Sequence, residues 1–156
     1  MTKKTIKKRK NQIGNKWSKK AWEVTSIIVR LRDKKCLICN KRGRPNSKGL
    51  LISGLDAHHI IAAKRSARRH DILNCITLCK GCHKGLNSSG KSPHGSGETV
   101  EAFWNWMKND PKMAIFYQYY STYAQDELPI KTYYDKYIHL KGLLDQYLKD
   151  IELINT

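Results

Sequence analysis

Apolar residues recur along the chain first with a helical period, then in short strand-like runs, then with a helical period again. Between Ser18 and Asp33, Val24, Ile27, Ile28 and Leu31 fall at i, i+3, i+4 and i+7. That spacing predicts an amphipathic helix of about four turns with Ser18 as its N-cap. Trp17 and Trp22 then occupy the positions of a hydrophobic staple, the alternative for Trp22 being a neighbouring element to pack on. The runs Leu50 to Ile52, Leu55 to Ile60 and Ile76 to Leu78 are short and read as strands, the first two separated at Gly54. A brief helix is expected from about Cys82, and the Ser and Gly content from Ser88 to Gly97 predicts a linker. Beyond it Val100, Phe103, Trp104 and Met107 trace another amphipathic helix. Asp110-Pro111 reads as an N-cap with proline at the first helical position, opening a Tyr-rich helix. Tyr134, Tyr137, Ile138, Leu144, Leu148 and Ile151 mark one face of a last helix from about Ile130 to Ile154.

Charge divides the chain in two. Residues 1–97 hold 24 of the 30 Lys and Arg and four acids, whereas residues 98–156 hold six bases and nine acids. So basic a half implies a polyanionic partner, because displacing counterions from nucleic-acid phosphates is favourable. Residues 1–16 are basic and nearly devoid of apolar groups, so a mobile, phosphate-tracking arm is expected there. The expected organisation is this arm, a cysteine- and histidine-bearing unit over 17–95, and a helical region over 96–156. No apolar run approaches the roughly 18 to 20 residues that cross a bilayer, and no export signal follows the basic start, so the expectation is a cytoplasmic protein without a membrane partner.

The chemistry concentrates between Cys36 and His83. Two C-x-x-C pairs, Cys36/Cys39 and Cys79/Cys82, supply the four thiolates that close a tetrahedral Zn2+ site and leave no open position. Such a site is structural, and its binding free energy becomes folding free energy. A redox dithiol or an iron-sulfur cluster are the competing readings of the same spacing. Cys75 stands outside both pairs and reads as a small buried hydrophobe. Closing the clasp folds the segment between into a compact loop and brings His58, His59, Asn74 and His83 within reach of one another.

Ala57-His58-His59-Ile60, Asn74-Cys75-Ile76-Thr77-Leu78-Cys79 and Cys82-His83 resemble the motif of the HNH nuclease family, over roughly Trp17 to Asn87. The resemblance implies an α+β fold, a ββα-metal core stapled by the four-cysteine zinc site, with helical N- and C-terminal extensions. It implies further that His58 and His83 hold a catalytic divalent cation, Mg2+ or another, that His59 is the general base, and that Asn74 orients its ring. Asn87, one helical turn after His83, is a candidate further ligand. Since both strand positions are histidine, ligand and base could exchange. Asp56 is read first as a strand or cap residue and otherwise as an approach to the metal. Lys64, Arg65, Arg68 and Arg69 form a basic loop read as DNA-binding. His70 and His94 read as surface or loop histidines, His70 with a phosphate contact as an option, and His139 has no catalytic role.

The expected function is therefore a metal-dependent endonuclease that hydrolyses double-stranded DNA to 5'-phosphate and 3'-hydroxyl ends. The resemblance suggests a free-standing phage homing or nicking enzyme acting in the host cytoplasm, with a restriction-type nuclease as runner-up. Against it stand a non-catalytic, zinc-stapled nucleic-acid-binding module and an RNA-directed protein. All eight tyrosines fall between Tyr117 and Tyr147, at helical spacing in a slightly acidic segment. They read as core or as a homodimer seam.

Overall fold

The computed structural model describes residues 3–61, 68–86, 89–123 and 133–155, with side chains of 3–15, 119–120, 122–123 and 151–155 left aside. The elements are helix α1 (Lys3–Asp33), strands β1 (Arg44–Pro45), β2 (Leu51–Ser53) and β3 (Leu55–His59), strand β4 (Cys75–Cys79), and helices α2 (Lys80–Lys84), α3 (Gly97–Asn109), α4 (Ala114–Tyr123) and α5 (Tyr133–Asn155). The architecture is α+β: two small antiparallel pairs, β1 with β2 and β3 with β4, enclosed by helices. Among the described residues no helix is long and apolar enough to cross a membrane.

Helix α1 corrects two expectations. It begins at Lys3 rather than at Ser18, so the basic arm is helical and Ser18 lies inside the helix. Lys, Arg and Gln have good helix propensity, and once the packed half supplies the nucleus each added residue costs little. Trp17 and Trp22 form no staple: Trp17 meets Tyr134 and Tyr137 of α5, at ring distances of 4.9 and 5.3 Å. Ala21 and Ile28 share a cluster with Leu140, flanked by Val24, Tyr137 and Leu144, so α5 covers the Val24 and Ile28 part of the stripe that the period marked. The helix stops where Lys34 adopts a left-handed conformation, φ 61°, and its N–H donates to the Arg30 carbonyl.

Strand β4 is buried along its whole length and is the centre of the molecule. Its Thr77 hydroxyl donates to the Val29 carbonyl and its Thr77 N–H to the Asp33 carboxylate, which pins that face to α1. Arg32 ties the strand's entrance down by donating to the Ile72 and Cys75 carbonyls. The opposite face carries Ile76 and Leu78, in one core cluster with Leu55, Ile60, Phe103, Met107, Met113 and Phe116. Phe103 and Met107 are completely buried, each worth roughly 1.5–3 kcal/mol of transfer free energy. The helices after residue 96 thus complete the core of the strands.

Asp110 closes α3 rather than opening α4; its carboxylate accepts from Lys112 N–H, and α4 starts only at Ala114. The Asp-Pro pair builds a turn there, because the proline conformation suits a turn as well as a first helical residue.

Candidate functional site

The first group is the clasp. Lys35 pairs with Arg42 to close a knuckle, and Asn40 N–H donates to the Cys36 carbonyl at 2.9 Å, turning Cys36 and Cys39 inward. Cys79 ends β4 and caps α2, its sulfur accepting from Cys82 N–H at 3.4 Å. The four sulfurs lie within 4.8 Å of one another. Ligands about 2.3 Å from a shared tetrahedral Zn2+ would stand about 3.8 Å apart, and Cys39 and Cys79 Sγ are 3.7 Å apart. The donor set and the spacing both fit zinc. Burial raises the pKa of the Cys36 thiol. Cys75 is fully buried away from this set, and burial pushes its thiol up as well.

The second group is divided by the pleat of β3. His58 stands opposite Ile76 and His59 opposite Cys75, so the two rings leave opposite faces of the hairpin. His58 points to the α3 side, where Phe103 meets it edge-on at 6.2 Å. Its Nδ1 lies 3.1 Å from Nε2 of His83, on α2. His83 Nδ1 donates to the Asp56 carboxylate at 3.3 Å, which leaves its Nε2 lone pair facing His58. Two nitrogens about 2.1 Å from a common cation would stand about 3.0 to 3.4 Å apart, depending on coordination geometry. Burial, then the neighbouring His83, His94 and His59, hold the His58 pKa down to about 3. His58 is thus neutral near pH 7 with a lone pair to give, and the pair fits a divalent cation. Asp56, on β3 itself, orients His83 from behind.

His94 completes the cluster: its ligand nitrogen lies within 4.8 Å of those of His58 and His83. It is a loop residue with an exposed ring, as its sequence setting suggests, but nothing there points to a site. The available signal is a histidine held between Pro93 and Gly95, two residues that restrict and direct the chain.

His59 leaves the other face, toward α1. Trp22 stacks on its ring at 4.1 Å with an interplanar angle of 22°, so Trp22 packs on a neighbouring element. His59 Nε2 lies 2.8 Å from the Arg69 carbonyl, which can only accept; the proton is therefore on Nε2 and Nδ1 is the free acceptor. Burial and the Arg69 charge lower its pKa against the opposing effect of that carbonyl.

Asn74 does not contact the His59 ring by a hydrogen bond. Its Oδ1 accepts from Ile61 N–H at 2.8 Å, and its Nδ2 donates to the Ile61 and Arg68 carbonyls, both at 3.1 Å. Fully buried, it clamps the two ends of the segment that runs from His59 round to Arg69, and so fixes the carbonyl on which His59 rests.

The basic loop is also revised. Lys64, Arg65 and the candidate ligand Asn87 lie outside the described residues. Arg68 is only 2% exposed, so it belongs to the interior rather than to a phosphate-facing surface. Arg69 is half-buried beside His59. His70 is not a surface residue: it is buried, 3.2 Å from the Ser18 hydroxyl, with Tyr133 against its ring. Exposed bases instead flank β1 and β2 at Lys41, Arg42, Arg44 and Lys48.

Residues 36–89 match the family model described as HNH endonuclease. Over that segment, about a third of the chain, the sequence is similar to HNH endonucleases. No curated protein and no solved structure matches the chain. The matched segment contains both C-x-x-C pairs, His58, His59, Asn74 and His83, whereas Trp22 and His94 come from outside it. A nuclease-type hydrolase and a nucleic-acid partner follow from that similarity in general terms.

Proposed function

We propose that the chain is a metal-dependent endonuclease that hydrolyses phosphodiester bonds of double-stranded DNA, leaving 5'-phosphate and 3'-hydroxyl ends. One observation carries this reading: adjacent histidines on β3 enter two different environments, one a cluster of imidazole donors, the other an anchored ring with a free acceptor nitrogen. A merely structural histidine pair needs neither.

His59 Nδ1 accepts a proton from water as that water attacks phosphorus, the task that neutral imidazole performs best near pH 7. The Arg69 carbonyl stabilises the imidazolium that results, and Trp22 holds the plane of the ring. Asn74 is a positioning residue that acts through the Ile61 and Arg68 backbone. His58 and His83 hold the divalent cation, which when bound supplies positive charge to the departing 3' oxygen. The exposed bases beside β1 and β2 supply contacts to the phosphate backbone. A homodimer through the C-terminal region would use Tyr134, Ile138 and Leu143, which stay exposed on α5.

The test is cleavage of supercoiled plasmid with a series of divalent cations. Wild type is expected to cleave, and His59→Ala to lose roughly 100- to 10,000-fold in rate, the usual contribution of a general base. Undiminished cleavage by His59→Ala would refute the assignment, and wild type that binds DNA without cutting would favour the non-catalytic zinc module. Mapping the ends on a defined duplex distinguishes a nick from a double-strand break.

A further inference from the structure

Between α2 and α3, the described residues 89–96, expected to be a linker, are instead fastened to the fold. Ser89 Oγ lies 3.9 Å from the Cys82 sulfur of the clasp. Ser92, completely buried, donates its N–H to the Thr99 carbonyl at 3.1 Å and its hydroxyl to the His83 carbonyl at 3.2 Å, and accepts from His94 N–H at 3.2 Å. Gly85 and Gly95 cross so closely that a Cβ on Gly85 would lie 3.0 Å from Gly95 Cα, and one on Gly95 would collide with the Thr99 hydroxyl. His94 is thereby tied, through one serine, to the backbone of the residue whose ring it meets. Its ring centroid is 4.9 Å from that of His58 and 5.1 Å from that of His83. Ordering a loop costs conformational entropy, and these bonds offset that cost before any ligand arrives.

We propose that His94, supplied from outside the family segment, is the third protein ligand of the cation held by His58 and His83. The centre then binds its ion through three imidazoles and prefers Zn2+, Co2+ or Ni2+ to Mg2+. This rests on the cation site of the nuclease reading. The three donors converge without a carboxylate among them, since Asp56 stands behind His83. Neutral nitrogen donors suit late first-row ions, whereas Mg2+ holds oxygen ligands and water. The exposed side of His94 leaves an approach for substrate.

The full-length protein with zinc on its cysteines would be titrated with Co2+ by calorimetry, with and without Mg2+ in excess, and bound metal counted after desalting. His94→Ala, His94→Gln, His58→Ala and His83→Ala would be compared, each with a thermal melt to verify folding. Both His94 variants are expected to bind Co2+ more weakly by at least the roughly 10- to 100-fold that follows loss of a ligand's outer partner. Mg2+ should not displace Co2+. Wild-type affinity in the His94 variants, alongside loss in His58→Ala and His83→Ala, would overturn the ligand assignment and leave the nuclease reading standing. A wild type that takes up no ion beyond zinc would overturn both, and displacement of Co2+ by comparable Mg2+ would overturn the metal preference.

Discussion

The cysteine clasp and the histidine centre are built on the same hairpin, yet they come together by different means. In the clasp each half is a local turn: the Asn40 to Cys36 backbone bond makes one knuckle, and Cys79 capping α2 makes the other. Only one long-range step, bringing the two knuckles together, is left to the fold. The histidine centre draws His58 from β3, His83 from α2 and His94 from a loop, and the neighbouring His59 depends on Trp22 and Arg69 on two further segments. The first site would close on an ion with four thiolates and so hold the fold; the second is assembled by the fold and keeps an exposed side at His94. Local spacing suffices for a clasp, whereas a reactive centre needs groups presented from several directions.

The comparison breaks first at the clasp. Cys79→Ala removes a thiolate, the α2 cap and the zinc, putting on the order of 10 kcal/mol of folding free energy at stake. The expected result is an unfolded or aggregating protein with no zinc by metal analysis and no cooperative melt. A folded, zinc-free variant would show that the helices alone sustain the core.

Asn74→Ala should act on the other region alone. It leaves the Ile61 N–H and the Ile61 and Arg68 carbonyls without their buried partner, a loss of about 2–4 kcal/mol in urea unfolding. Zinc content should be unchanged while plasmid cleavage falls, because the Arg69 carbonyl under His59 is no longer held. Equal loss of zinc and activity would mean that the two regions are not separable.

The smallest effect concerns His70, which burial, helped by Arg69, Lys136 and His59, holds neutral with a pKa lowered to about 4. Its folded pKa lies below the unfolded value of about 6.5, so between these limits the unfolded chain binds more protons. Stability is therefore full above about pH 6.5 and falls as pH drops toward 4, by on the order of 1–3 kcal/mol. His70→Gln, which can still meet the Ser18 hydroxyl, should flatten that part of the pH profile of thermal unfolding relative to wild type. An identical slope in the variant would place the titration elsewhere.

The amino-acid sequence by itself determined the four-cysteine set, the order of three short strands and a helix from Leu51 to Lys84 and the apolar stripe of α1, because spacing and hydrophobic period are local properties of the chain. It also marked His58, His59, Asn74 and His83, through a motif that lies within one matched segment. The tertiary structure decided the rest. Whether residues 3–16 extend a helix depends on the packed half that nucleates it, and His70 is interior because Ser18 of α1 and Tyr133 of α5 meet it, not because of its polarity. The indirect action of Asn74, the Trp22 stack and the arrival of His94 all join residues distant in the chain, and such meetings arise only when the core around Ile76, Leu78 and Phe103 closes.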